Sequence, residues 1–347
     1  MPIKVLVVDD SALIRQVLTE LLSLDPAIEV VGSAADPYVA REKIKALTPD
    51  VITLDIEMPR MDGLSFLEKL MALRPMPVVV VSTLTQKGTD AAVRAMELGA
   101  VDYVAKPMLD IRNGMVGLGE ELVAKVKLAA ASRPRARQAA ARTMAPLTAD
   151  PRLSTAGRIV AIGASTGGVE TLQRILVRLP ATSPAILVTQ HMPAGFTASF
   201  ARRLDGQCAV TVIEATDGRR VLPGHVYIAP GARHLELVRN GAHYACRLQD
   251  GPAMSGHRPS VDVLFHSVAA AAGGNALGVI LTGMGRDGAA GLLAMRRAGA
   301  RTLGQSEATC VIYGMPRAAM EIGAVAAEYP LDRLAEEMIA LGEPIAG

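Results

Sequence analysis

The stretch GASTG at residues 163–167 fits G-x-S-x-G, the pattern of a tight strand-to-helix turn that lifts a serine above a sheet while glycines relieve crowding. A dinucleotide-binding turn would want glycine at Ser165, because a side chain there blocks a pyrophosphate from the backbone. At a helix N-terminus the free amides and the dipole favour a developing oxyanion, although a serine there could simply cap the helix. A hydroxyl also needs a base to act as a nucleophile at neutral pH. His191 ends the apolar run AILVTQH, and Asp287 follows the run that begins near Ala276. A hydrogen-bonded structural histidine and a cap for the helix GAAGLLAMRRAG are the plain alternatives for these two residues. Three residues of the right types, each after a separate buried strand, favour a nucleophile, a base and an orienting carboxylate at one sheet edge. Their order along the chain, Ser then His then Asp, differs from that of α/β-hydrolases and points to convergent geometry. His243 and Cys246 form H-x-x-C on a predicted hairpin; two ligands make no metal site, and both read as structural.

A second group of reactive side chains lies in the first third of the chain. Asp9 and Asp10 follow the apolar run IKVLVV, Asp55 ends DVITLD, Ser82 ends MPVVVVS, and Lys106 follows VDYVA. In a parallel sheet these positions share the carboxyl edge, where open α/β sheets bind ligands. Crowded carboxylates repel, and a hard divalent cation such as Mg²⁺ relieves them. An acceptor carboxylate, a shielding cation, a hydroxyl and an ammonium are what phosphoryl transfer to Asp55 needs.

The elements that must position these residues are legible as short apolar runs alternating with helical patterns, the signature of parallel sheets covered by helices. The chain has 347 residues, long enough for two domains. Residues 1–128 form the expected first domain, and 129–157 a linker rich in Ala and Pro that carries Arg133, Arg135, Arg137, Arg142 and Arg152. Residues 158–347 restart the α/β pattern, with Val169, Leu172, Ile175, Leu176 and Leu179 on one helical face. Within this half, LELVRNGAHYACRL alternates about Asn240-Gly241, the pair a type I′ turn requires, and predicts an inserted antiparallel hairpin. The 36 basic residues nearly balance 34 acidic ones, and aromatics are 3% of the chain, which argues against generic nucleic-acid binding. Three cysteines without C-x-x-C spacing argue against a disulfide framework. No run is suited to a signal h-region or a membrane span, so a soluble, cytoplasmic protein is expected.

VVDDS, LDIEMPRMDG, VVVVSTLT and YVAKP together resemble the receiver domain of two-component response regulators, from about Ile3 to Lys127. That resemblance implies a flavodoxin-like fold, phosphorylation at Asp55, and Mg²⁺ held by Asp9, Asp10, Asp55 and the Glu57 carbonyl. It also implies phosphoryl contacts from Ser82 and Lys106, Tyr103 as an aromatic switch, and a Lys106-Pro107 bond that is cis. GASTGG, QHMP, TGMGRDG and CVIYGMPRAA behind the receiver resemble the chemotaxis protein-glutamate methylesterase family, CheB, over essentially the whole chain. The implied catalytic fold is a doubly wound, mainly parallel α/β sheet. The implied roles are Ser165 as nucleophile, His191 as general base, Asp287 as its orienting carboxylate and the Met284 amide as oxyanion donor, with no cofactor for ester hydrolysis. The implied substrates are γ-methyl glutamate esters on chemoreceptors, with some glutamines deamidated, and the implied phosphodonor is a chemotaxis histidine kinase. A switch tethered to a hydrolase suggests that the unphosphorylated receiver denies entry to the Ser165 edge. The rival readings, a nucleotide- or partner-binding output half and a transcriptional output, meet a serine in the glycine turn and no recognition helix after the linker.

Overall fold

The computed structural model describes residues 1–58, 62–82, 85–106, 115–132, 147 and 157–340. They fall into two compact units, Met1–Arg142 and Thr143–Gly347. Arg133, Arg135, Arg137, Arg142 and Arg152 of the expected linker, and Pro107 with its peptide bond, lie outside the described residues.

In the first unit β1 (Ile3–Val8), α1 (Ala12–Ser23), β2 (Ile28–Ala34), α2 (Pro37–Leu47), β3 (Val51–Asp55), α3 (Gly63–Leu73), β4 (Val78–Ser82), α4 (Gln86–Glu97), β5 (Asp102–Ala105) and α5 (Met115–Ala131) alternate along the chain. The strands pair in parallel in the order β2-β1-β3-β4-β5, the flavodoxin-like order. All five residues of β3 and of β4 are buried, which explains their largely apolar character. β2 and α2 had no strong sequence signal. In β2 only Ile28 and Ala34 are buried, because this strand lies at the sheet edge.

The second unit contains β6 (Ile159–Ala164), α6 (Gly168–Leu176), β7 (Ala185–Gln190), α7 (Phe196–Asp205), β8 (Thr211–Glu214), β9 (His225–Ile228), β10 (His234–Asn240), β11 (His243–Gln249), α8 (Val261–Ala272), β12 (Ala276–Ile280), α9 (Ala289–Arg297), β13 (Arg301–Gln305), α10 (Met315–Glu321), β14 (Ala327–Tyr329) and α11 (Leu331–Ile339). Seven strands form a parallel sheet in the order β14-β13-β12-β6-β7-β9-β8. The chain builds one side from β6 through β7, β9 and β8, then returns to build the other from β12, so β6 and its neighbours mark the switch point where such sheets bind ligands. Val169, Leu172, Ile175 and Leu176 of α6 are buried, each such side chain contributing about 1.5–3 kcal/mol of transfer free energy.

The expected hairpin is present as a separate two-stranded sheet, β10-β11. Its turn differs from the expected type I′. The last pair is Asn240↔His243, so the turn residues are Gly241 and Ala242, and only Gly241 has positive φ, at 58°. Glycine at the first central position is the requirement of a type II′ turn.

Candidate active site

β6, β7 and β12 are adjacent parallel strands, and each delivers its reactive residue to the same edge. Ser165 follows β6 directly, His191 follows β7 directly, and Asp287 comes seven residues after the end of β12. The His191 N–H donates to the Ala164 carbonyl across 3.1 Å, and the Ser165 N–H donates to Thr282 O across 3.0 Å. These two bonds tie the three strand ends together. Gln190, buried beneath them, donates from Nε2 to the Ser165 and His191 carbonyls at 2.9 and 3.2 Å.

The turn needs its glycines for two different reasons. Gly167 has φ +77°, which an L side chain rarely adopts. Gly163 lies where an added Cβ would come within 2.2 Å of Val261 Cγ1, so glycine there lets the N-terminus of α8 press against β6. The helix-capping alternative for Ser165 does not hold. The cap of α6 is Gly167, which makes no side-chain bond, and the Ser165 hydroxyl instead lies 3.2 Å from His191 Nδ1.

On the far side of the ring, His191 Nε2 lies 2.8 Å from Asp287 Oδ2. A carboxylate only accepts, so Nε2 carries the hydrogen and Nδ1 keeps its lone pair for the serine hydroxyl. The ring therefore presents Nδ1 to the Ser165 hydroxyl and Nε2 to Asp287, the reverse of the chymotrypsin template. His191 and Asp287 are almost fully shielded, with side-chain exposures of 8% and 1%.

Asp287 does not cap the following helix as its plain alternative supposed. The cap of α9 is Gly288, without a side-chain bond. Instead the carboxylate sits against the start of α8. Its Oδ1 accepts from Ser260 Oγ at 2.8 Å and the Asp262 N–H at 3.0 Å, and its Oδ2 accepts from the Val261 N–H at 2.7 Å. Burial works to raise the Asp287 pKa, but the His191 bond, the charge that ring carries when protonated, and the two amides outweigh it and hold the carboxyl below its ordinary range. The helix N-terminus favours the same ionised form.

Met284 occupies the loop after β12. Gly283 packs so closely on Ser165 that an added Cβ would lie 2.7 Å from the serine Cβ, so the residue just before Met284 lies against Ser165. The amide of Ser165 is already engaged with Thr282 O and cannot serve an oxyanion. Thr282 Oγ1 further accepts the Ile312 N–H at 2.9 Å and lies 3.1 Å from both the Thr166 and the Ile312 carbonyls, with one proton to donate between them.

The reactive residues of the first unit gather at the carboxyl edge of their own sheet. Asp9, Asp10 and Asp55 each offer a carboxylate oxygen, all within 4.8 Å of one another. An all-oxygen, anionic donor set of this kind suits Mg²⁺. Lys106 Nζ lies 2.7 Å from Asp55 Oδ2 and 2.9 Å from Asp9 Oδ2. Burial raises the Asp55 pKa, with Asp9 adding to it and Lys106 opposing. Burial opposes the Lys106 charge, but bonds and charges from Asp55 and Asp9 prevail and raise its pKa. The Glu57 N–H donates to Asp55 Oδ1 at 3.1 Å. Ser82 is buried with its hydroxyl donating 3.0 Å to Gly88 O, turned toward α4. Tyr103 is buried in β5, with Lys125 Nζ 4.8 Å from its ring centroid.

His243 and Cys246 are structural in their contacts: His243 Nδ1 lies 3.1 Å from Arg220 Nη2, and Cys246 is a buried free thiol that burial pushes up to about 12. Among the described residues, Asp9, Asp10 and Asp55 are the one group of His, Cys, Asp and Glu close enough to share a metal ion. Also among the described residues, no helix is long and apolar enough to cross a membrane.

Residues 160–338 match the model of the CheB methylesterase family, and residues 5–113 match that of the response regulator receiver domain. The chain belongs to the CheB methylesterase family. A relative from Bordetella parapertussis named protein-glutamate methylesterase/protein-glutamine glutaminase is 59% identical, over 97% of this chain and 96% of its own length. A relative from Xanthomonas oryzae pv. oryzae, bearing that name with the number 2, is 56% identical over 98% of this chain and 97% of its own. The second unit is similar to the crystal structure of the Thermotoga maritima CheB methylesterase catalytic domain. That match has a TM-score of 0.53 and 40% identity, and covers 54% of this chain and 99% of the other.

Sequence reasoning did not find Gln190, Thr282 or Ser260 as supports. Ser260 had a signal, a serine just before the apolar helical run VDVLF, but that the helix start would bind a carboxylate 27 residues on is a tertiary fact.

Proposed function

We propose that this chain hydrolyses γ-methyl esters of glutamate side chains on methylated chemoreceptors and deamidates receptor glutamines, through Ser165, His191 and Asp287. The observation that carries the reading is the unbroken line from Ser165 Oγ through both nitrogens of His191 to Asp287. Membership of the family, and relatives whose name pairs the two activities, supply the substrate class.

In the acylation step Ser165 Oγ attacks the ester carbonyl carbon while its proton passes to His191 Nδ1. The imidazolium is stabilised by the ionised Asp287, and the Met284 amide is the proposed donor to the oxyanion. Collapse breaks the bond to methoxide, which takes the proton from Nδ1 and leaves as methanol. Water then gives its proton to Nδ1 and attacks the acyl-enzyme; Ser165 recovers the proton, and the glutamate carboxylate is released. A glutamine follows the same path with ammonia as leaving group, and deamidation is slower because an amide depends more heavily on protonation.

In the receiver, Asp55 accepts the phosphoryl group, with a chemotaxis histidine kinase as donor. Asp9, Asp10, Asp55 and the Glu57 carbonyl would hold Mg²⁺, which when bound neutralises charge on the phosphoryl oxygens. Lys106 already pairs with Asp55, whereas Ser82 must release Gly88 O to reach the phosphoryl group. Tyr103 is the proposed switch residue. Phosphorylation raises the hydrolytic rate, and a hundredfold effect would need about 2.7 kcal/mol of differential stability.

Methanol release from methylated receptor, compared between wild type and Ser165→Ala, tests the core of this reading. Release should vanish in the variant; equal release by the two proteins rejects the nucleophile.

A further inference from the structure

The imidazole of His191 is held at its two nitrogens, but bonds in the ring plane leave rotation out of that plane to be resisted by whatever packs on its faces. One face is covered by His257. The two rings stack with centroids 3.8 Å apart and planes 13° from parallel, closer than the usual range of about 4.5–7 Å for aromatic pairs.

The chain supports His257 elaborately for a residue in a connecting segment. Met254 and His257 exchange both backbone bonds, at 3.0 and 2.9 Å. Ser255 and Gly256 between them have φ of +53° and +81°, the two positive values of a type I′ turn. The ends of the segment are drawn together by a second histidine. His234, buried at the start of β10, accepts the Ser260 N–H at Nδ1 across 3.1 Å and donates from Nε2 to Pro252 O across 2.9 Å. Arg258 Nη1 donates to Gly251 O at 2.9 Å. The same segment ends at Ser260, whose hydroxyl holds Asp287. One piece of chain therefore fixes both the face of the base and its orienting carboxylate.

We propose that His257 is a positioning residue for ester hydrolysis, its ring clamping the face of His191 so that the imidazole stays in the plane joining Ser165 Oγ to Asp287. Burial, with the charge that His191 carries when protonated, holds the His257 imidazole toward its neutral form, while Asp287 pulls the other way. A neutral ring accepts an imidazolium against its face, where a second cation would repel it. The requirement is thus for a flat, uncharged surface rather than for a proton donor.

The proposal rests on the triad reading above, and the experiment separates the two. In the full-length chain, kcat and KM for methanol release are measured for wild type, Ser165→Ala, His257→Ala and His257→Phe. The state of His191 is followed by ¹⁵N NMR of histidine-labelled protein. His257→Ala should lose at least about tenfold in kcat, since misplacing a reacting group by about 1 Å costs up to about 10²-fold, with KM within about twofold. His257→Phe should recover most of that loss. The ¹⁵N signature of His191, a protonated Nε2 and a bare Nδ1 in wild type, should average toward mixed tautomers in His257→Ala and return in His257→Phe. If His257→Ala does not fold, His257→Leu, of similar bulk but without a flat face, replaces it and should be equally slow. A kcat within about threefold of wild type in the Ala or Leu variant overturns the clamp, as does a phenylalanine variant no faster than the alanine one. A change confined to KM would make His257 a substrate contact and would also overturn it. Residual activity in Ser165→Ala would instead overturn the triad itself.

Discussion

Replacing Asp287 by asparagine separates the charge of this residue from its hydrogen bonds, and the structure indicates which one is lost. The asparagine amide can face either way. With its NH₂ in place of Oδ2 it would meet two donors, the Val261 N–H and His191 Nε2–H, at positions now 2.7 and 2.8 Å away. With its NH₂ in place of Oδ1 it meets the Asp262 N–H, now at 3.0 Å, and the Ser260 hydroxyl, now at 2.8 Å, which can rotate to accept. The second orientation has fewer clashes and keeps an acceptor for His191, so the tautomer survives and the loss is the charge. A carboxylate and an imidazolium with charge centres about 4 Å apart interact by about 4 kcal/mol at an effective dielectric of 20. That corresponds to about 10³-fold in kcat, short of the roughly 10⁴-fold cost of inverting the tautomer in the serine-protease template. The stranded Asp262 amide should also cost about 1–3 kcal/mol of stability. Methanol release under saturating methylated receptor measures the first effect and urea unfolding the second. A loss of less than about tenfold in kcat, in a protein whose His191 still shows Nε2–H by ¹⁵N NMR, would refute the electrostatic role of Asp287.

Three further outcomes are expected. Mg²⁺ should stabilise the receiver by about 2.7 kcal/mol at a hundredfold excess over Kd and so raise its unfolding temperature; Asp10→Asn should shrink that shift in differential scanning calorimetry, and an unchanged shift would place the cation elsewhere. Because the Asp55 pKa is raised, the folded receiver binds this proton more tightly than the unfolded chain, and stability is lost as pH rises through the folded value. Asp55→Asn should therefore melt higher than wild type at pH 7 without Mg²⁺ while losing its response to a small-molecule phosphodonor; a lower melting point would contradict the sign. Asp287 has the opposite sign: its lowered pKa contributes stability above the ordinary carboxylate value of about 3.9 that is lost as pH falls through the folded one, so wild type should lose stability more steeply than Asp287→Asn below about pH 5 in acid titrations of the catalytic unit.

Much of this architecture was readable from residues because burial writes itself into composition. β3, β4, β6, β7 and β12 are covered throughout and appear as largely apolar runs, so reactive residues at their ends could be assigned to one edge. Edge strands such as β2 and β14 bury little and leave no such trace. The hairpin was legible from alternation, but its turn was displaced by one residue, since Asn240-Gly241 satisfies a local preference while the register of β10 with β11 decides which two residues bend. Ser165, His191 and Asp287 could be named, whereas the orientation of the ring could not, because it depends on where the start of α8 holds the carboxylate. His257 gave no signal at all: a histidine in an irregular segment is conspicuous only once the ring beneath it is located.

The seat of Asp287 at the start of α8 bears on how this enzyme can be altered. The hydroxyl of Ser165 is a terminal ornament of its turn, bonded among the described residues to His191 alone, and on the proposed mechanism its loss should remove activity while sparing the scaffold. The carboxylate of Asp287 is a shared component, answering to the base on one side and to a helix on the other. Random mutagenesis should therefore yield inert but sturdy proteins at position 165 and, at position 287, proteins weakened in both respects, so that inactive variants recovered in good yield will point to the nucleophile more often than to the acid.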